Sequence, residues 1–298
     1  MKLPEQASIV EVGPRDGLQN EPTPIPTAVK VAFIEGLADA GLRNIEVTSF
    51  VNPKRIPQLA DAIDVLAALP DREGVRWSAL VPNMKGLERA VETGVKRIAV
   101  FSAASETFTQ KNIGMSIAQS IETFGEVAAT ARAAGMSVRG YVSTVVACPY
   151  EGAIDPTRVL EVTERLLDIG VDEVSLGDTI GVGVPPEVER MLETVLTKVA
   201  PSKIALHLHD TCGTALANVM VGLQMGITTY DASAGGLGGC PYAPGAAGNL
   251  ATEDLVYFLE RMGVRTGVDL EKLAAASAGV EAALGRPLPS KQLRRLRG

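Results

Sequence analysis

The chain has 298 residues, 28 basic and 35 acidic side chains and a net charge of −7, and it is 46% hydrophobic and 21% charged. That composition supports a large core and excludes a disordered chain. The absence of long Lys/Arg clusters excludes nucleic acid or an anionic membrane as the main partner. Three cysteines are too few for a disulfide scaffold. With no signal-peptide apolar region and no run of about 18 apolar residues, the chain reads as a cytoplasmic protein without a membrane span.

In chain order, eight short β-like runs are predicted, at 7–12, 45–49, 76–81, 97–102, 137–145, 173–177, 204–209 and 228–234. The stretches between them have helical apolar spacing. Val29, Phe33 and Leu37 share one face of a predicted helix over 27–40. In DPTRVLEVTERLLDIG, Asp155 suits the N-cap and Pro156 the first helical position, with Leu160, Leu167 and their neighbours as the buried stripe. Five helix-to-strand junctions, at Gly41, Gly94, Gly135, Gly170 and Gly226, repeat a glycine followed by an apolar residue and the next strand. Glycine fits the left-handed position that stops a helix. Strand–helix alternation implies a parallel sheet, and eight strands in this length favour closure into a (β/α)8 TIM barrel. No G-x-G-x-x-G follows the first strand to support an open sheet instead. The expected organisation is one domain over 1–298, with the barrel over about 7–265. Over about 266–298 one further amphipathic helix leads into a solvated basic tail, KQLRRLRG.

In such a barrel the chemistry belongs at the C-terminal ends of the strands. The first strand ends in EVGPRDGLQN, placing Arg15 and Asp16 just beyond it; taken alone, the pair reads more readily as a loop salt bridge than as a site. Glu46 stands in the middle of an apolar run, where a buried carboxylate needs a partner. It either balances a structural arginine or serves a site, and both readings are open. The chain's two histidines, His207 and His209, are spaced i, i+2 in IALHLHDT and so share one strand face. A metal-ligand pair is favoured over two satisfied core histidines. Asp210, on the opposite pleat, suits loop or capping duty. After the eighth strand a glycine-rich stretch carries Cys240 and then Asn249. A cysteine among loop glycines fits a proton donor or nucleophile, whereas Cys148 and Cys212 read as inert packing residues. With no third imidazole in the chain, the other protein ligands would be oxygens, from an Asp and an Asn amide. That set suits Mg2+ or Mn2+, with Fe2+ or Zn2+ as competitors.

The motifs EVGPRDGLQNE, IEVTSFVNPK, GYVSTVVACPYEG, SLGDTIGVG, LHLHDT and GGLGGCPYAPGAAGNLATEDL together resemble the 3-hydroxy-3-methylglutaryl-CoA lyase family of Claisen-type metal-dependent barrels, from about residue 8 to residue 270. The cysteine loop is the most specific part, because GPRDG and HxH also occur in condensing synthases of the group. The resemblance implies cleavage of the acyl-CoA to acetyl-CoA and acetoacetate, in leucine breakdown or ketone-body formation, by a homodimer. It implies Asp16, His207, His209 and Asn249 as metal ligands. Arg15 would contact the substrate thioester, Cys240 would be the catalytic cysteine and Glu46 an active-site acid. Gln19, Ser49, Ser175 and Asp178 would lie at or near the substrate. Pro22 departs from the lysine common in the family. Alternative readings are a lyase of a longer branched 3-hydroxyglutaryl-CoA and a synthase condensing acetyl-CoA with a 2-oxo acid.

Overall fold

The computed structural model describes residues 3–238 and 248–298. The strands are β1 (Ser8–Glu11), β2 (Asn44–Ser49), β3 (Arg76–Leu80), β4 (Arg97–Ala103), β5 (Ser137–Ser143), β6 (Ala147–Cys148), β7 (Gly152–Ala153), β8 (Glu173–Asp178), β9 (Ile204–Leu208) and β10 (Thr229–Ala232). Among the described residues, eight of them pair in parallel and close in the order β1-β10-β9-β8-β5-β4-β3-β2. This is the expected TIM barrel, with the expected strands shifted by a residue or two at their ends. Strands β6 and β7 form a separate antiparallel hairpin after β5, which the apolar pattern does not predict because each is only two residues long.

All five junction glycines have positive φ, from +75° at Gly94 to +104° at Gly41. The apolar residues that follow them (Leu42, Val95, Met136, Val171 and Ile227) are all buried. Each helix is thus stopped by a left-handed residue, and the next side chain turns directly into the core. In the helix Pro156–Asp168, Asp155 caps the N-terminus by accepting from Thr157 N, with Pro156 at the first turn. Its buried face is one residue off the expected stripe: Val159, Val162, Thr163 and Leu166 are buried, while Leu160 and Leu167 flank them half-buried. Three β-branched residues and Leu166 fill the space against the strands, and Leu160 and Leu167 lie along the edge.

The main apolar core lies between the strands and the surrounding helices. A small separate cluster of Leu80, Ala99 and Tyr141, with Phe101 against it, comes from successive strands β3, β4 and β5. The expected solvated tail is instead a capped helix, Lys291–Arg297. Leu293 is buried, Ser290 caps Leu293 N, and Asp254 accepts from Ser290 Oγ, Lys291 N and Gln292 N. Leu293, the half-buried Leu296 beside it and an N-terminal cap dock a segment whose other residues are mostly basic.

Candidate active site

A cavity of about 880 Å3 opens at the C-terminal ends of the barrel strands. Arg15, Asp16 and Gln19 reach it from beyond β1, Asn52 and Arg55 from beyond β2, and Lys111 and Asn112 from beyond β4. Tyr141 and Ser143 reach it from β5, Thr179 from beyond β8, and His207 and His209 from β9 and the residue after it.

Arg15 and Asp16 sit in a tight turn, Gly13–Gly17, in which the N–H groups of residues 15, 16 and 17 all point to the Val12 carbonyl. A side chain at Gly17 would put its Cβ 2.7 Å from Leu237 Cβ, so this turn closes against the segment after β10 only with glycine there. Strand alternation turns His207 and His209 to the same side, with their Nε2 atoms 3.3 Å apart. Asp16 Oδ2 lies 3.9 Å from His207 Nε2, and these three residues can each offer a ligand atom within 4.8 Å of the others. Asn249, bridged to His209 through the backbone, donates from Nδ2 to Asp16 Oδ2 (2.9 Å) and to the Leu237 carbonyl (3.2 Å). Its Oδ1 and His209 Nδ1 are buried without a hydrogen-bond partner among the described residues.

The electrostatics of this cluster favour a cation. Burial, with His207 alongside, draws the His209 pKa down to about 4, so the ring is neutral near pH 7. Asp16 is opposed by burial, but Arg15, the two histidines and the Asn249 amide outweigh it and hold its carboxyl at about 2. The neutral His209 ring, the His207 ring beside it, an ionised carboxylate and an uncommitted amide oxygen form a nitrogen–oxygen donor set that fits a divalent cation.

Arg15 is buried beside this set. It donates from Nη1 to Asp16 Oδ1 and from Nε to Glu46 Oε1, and its guanidinium lies 5.5 Å from the Tyr141 ring centroid. Burial disfavours its charge, but Glu46 and Asp16 outweigh that and raise its pKa further. Glu46 is fully committed, because its Oε2 accepts from the Tyr141 hydroxyl at 3.0 Å. Burial, reinforced by Glu46, pushes the Tyr141 phenol upward and keeps it neutral. Its hydroxyl also accepts from Arg139 Nη1 (3.0 Å), and Arg139 pairs with Asp231. The two readings of Glu46 therefore merge: its arginine is the one that lines the cavity.

A profile of the HMGL-like family matches residues 6–280. The chain belongs to the HMGL-like family. It is 54% identical over 289 residues to the mitochondrial hydroxymethylglutaryl-CoA lyase of Bos taurus, covering 97% of this chain and 89% of that protein. The crystal structure of the Bacillus subtilis HMG-CoA lyase superposes with a TM-score of 0.98 at 50% identity over 100% of both chains. That of an HMG-CoA lyase from Acinetobacter baumannii, in complex with coenzyme A and 3-methylmalate, gives 0.93 at 38% identity over 97% of this chain and 95% of that one.

In this HMGL-like chain the other expected site residues take different places. Gln19 lines the cavity. Ser49 is buried, donating to the Leu80 carbonyl and accepting from Val51 N (both 3.3 Å). Ser175 is buried and gives its hydroxyl to Asp231 Oδ2 at 2.8 Å. Asp178 accepts from Gly183 N (2.8 Å), which pins the loop after β8, and burial raises its pKa. None of these three is among the residues that line the cavity. Asp210 caps the following helix through Ala215 N, as expected. Cys240 lies outside the described residues. Cys148 is buried against Ser105, as a packing residue should be, but Cys212 is exposed. Sequence reasoning missed Tyr141, Arg139 and Asp231. The signal that singled out Glu46, a polar group inside an apolar strand, is also present in SVRGYVS and TTYDASA.

Proposed function

We propose that this protein cleaves 3-hydroxy-3-methylglutaryl-CoA into acetyl-CoA and acetoacetate. The juxtaposition of Arg15 with the Asp16–His207–His209 cluster on one cavity wall carries this reading, in a chain more than half identical to a lyase of that name. The chain is a carbon–carbon lyase acting on an acyl-CoA. Arg55 and Lys111 are exposed and line the cavity, which suits them to the phosphates of coenzyme A.

Asp16, His207 and His209, with Asn249 adjacent, would hold a divalent cation, Mg2+ or Mn2+, whose Lewis acidity lowers the pKa of the substrate 3-hydroxyl. Asp16 or a site histidine takes the hydroxyl proton. The oxygen electron pair then forms the ketone of acetoacetate as the C2–C3 bond breaks, and the released pair becomes the acetyl-CoA enolate. The Arg15 guanidinium, held permanently charged and oriented by Glu46, stabilises the enolate oxygen as an oxyanion hole would. Cys240 supplies the proton that converts the enolate carbon to the methyl group of acetyl-CoA. We also place the protein in the cytoplasm, where the free thiols of Cys148 and Cys212 suit a reducing compartment.

The test is incubation of the purified protein with Mg2+ and 3-hydroxy-3-methylglutaryl-CoA, monitored for acetoacetate and acetyl-CoA in equal amounts. Condensation of acetyl-CoA with a 2-oxo acid, with no acetoacetate from the acyl-CoA, overturns the reading.

A further inference from the structure

Below the cavity the strands carry buried charge that the cleavage chemistry leaves unused. Arg139 donates from Nη2 to Asp231 Oδ1 (2.6 Å), from Nη1 to Asp231 Oδ2 (3.0 Å), and from Nε to Glu173 Oε1 (2.7 Å). Asp231 Oδ2 also accepts from Ser175 Oγ at 2.8 Å and faces His207 Nδ1 at 3.1 Å. The parallel register of β9 and β10 sets Asp231 directly opposite His207, so the two side chains meet at one level. Arg139, Ser175 and Asp231 are all buried.

A carboxylate paired with a guanidinium is an acceptor only, so the ring nitrogen facing it must be the donor. A neutral imidazole carries one proton. With that proton on Nδ1, His207 Nε2 keeps its lone pair, and this is the atom 3.3 Å from His209 Nε2 and 3.9 Å from Asp16 Oδ2. The opposite tautomer would turn an N–H toward the cluster and could not ligate.

We propose that Asp231, clamped by Arg139 and Ser175, is a positioning residue that fixes His207 in the Nδ1–H tautomer and presents its Nε2 to a cation shared with Asp16 and His209. The inference rests on the reading of those residues as a cation site and adds the group that prepares it. Losing such a carboxylate partner weakens metal binding by about 10–100-fold.

The chain's two histidines make this directly measurable. In 15N-histidine-labelled, cation-free protein only two imidazoles are observed, and His209→Gln assigns them. The expected spectrum shows His207 as Nδ1–H with a slowly exchanging ring proton. Asp231→Asn, folded by near-UV circular dichroism, is expected to lose that tautomer and to bind Mn2+ about 10–100-fold more weakly. An Nε2–H His207 in the wild-type protein overturns the proposal whether or not the variant folds. So does a folded Asp231→Asn with wild-type Mn2+ affinity. Failure of the wild-type protein to bind Mn2+ overturns the cation reading beneath it, a result distinct from a wrong tautomer.

Discussion

Arg15 illustrates how one side chain can be ambiguous in a sequence and decided by its surroundings. Beside Asp16 in a loop, it looks like an ordinary surface pair; in the folded chain it is buried between two carboxylates and a tyrosine ring. Its charge cannot be lost, which suits it to the proposed role of fixed countercharge for an enolate. Arg15→Gln is expected to lower kcat by about 10^2–10^3-fold while Mn2+ binding, measured by calorimetry, survives. Unchanged turnover would remove Arg15 from the reaction. Cys240→Ser should leave the 3-hydroxyl chemistry intact and slow protonation of the enolate, so solvent-deuterium incorporation into acetyl-CoA is the informative readout; an unaltered rate and isotope pattern would count against it. The histidines were legible because a two-residue spacing in a strand has one geometric meaning. Tyr141 was not, because its role depends on Glu46, 95 residues away in the chain.

At the level of elements, the barrel is punctuated by left-handed glycines, and these do two different jobs. Gly135, with φ +78°, has nothing within 4 Å of where a Cβ would sit, so it answers only a conformational demand. Gly41, with φ +104°, would place a Cβ 2.4 Å from the Gly267 carbonyl oxygen, so it also lets the segment before the C-terminal helices lie against the first helix–strand junction. Gly135→Ala should cost about 1–2 kcal/mol, and Gly41→Ala distinctly more, both by urea denaturation. Equal losses would mean that the 266–268 backbone yields freely. The recurrent junction was readable from five local sequences; the contact with Gly267 was not, because nothing near Gly41 in the chain reports which distant backbone lies beside it. The Lys291–Arg297 helix shows the same gap: its basic residues resemble a solvated tail, and only Asp254 on another helix shows where it docks.

Across the whole molecule, buried carboxylates tie the end of β1, the turn after β10 and the C-terminal helices together. Glu11 accepts from Gly13 N, Ala234 N and Thr252 Oγ1, and Glu253 accepts from Gly235 N and Ser277 Oγ. Burial raises both pKa values to about 7 from an ordinary 4.5. A carboxyl whose folded pKa is raised holds its proton more tightly when folded. Its contribution to stability is therefore full below about pH 4.5 and is lost as pH rises through about 7. Each group corresponds to about 3 kcal/mol across that window. Glu253→Gln should remove its share, so that the fall in denaturation free energy between pH 5 and pH 8 becomes shallower than in the wild type. An identical slope would show that Glu253 is ionised in the folded protein at both pH values.

Periodicity, spacing and residue type were sufficient for the barrel, the order of its strands along the chain and the placing of two imidazoles on one strand face. All of these follow from local rules: alternation on strands, left-handed glycines at helix ends, and the chemistry of a pair of imidazoles two residues apart. Which groups meet across the barrel was decided only by closure and register. These brought Asp231 level with His207, set Tyr141 against Glu46, and turned the Arg15–Asp16 pair from a loop contact into one wall of a cavity. Such contacts join strands separated by tens of residues, and no local pattern carries that information.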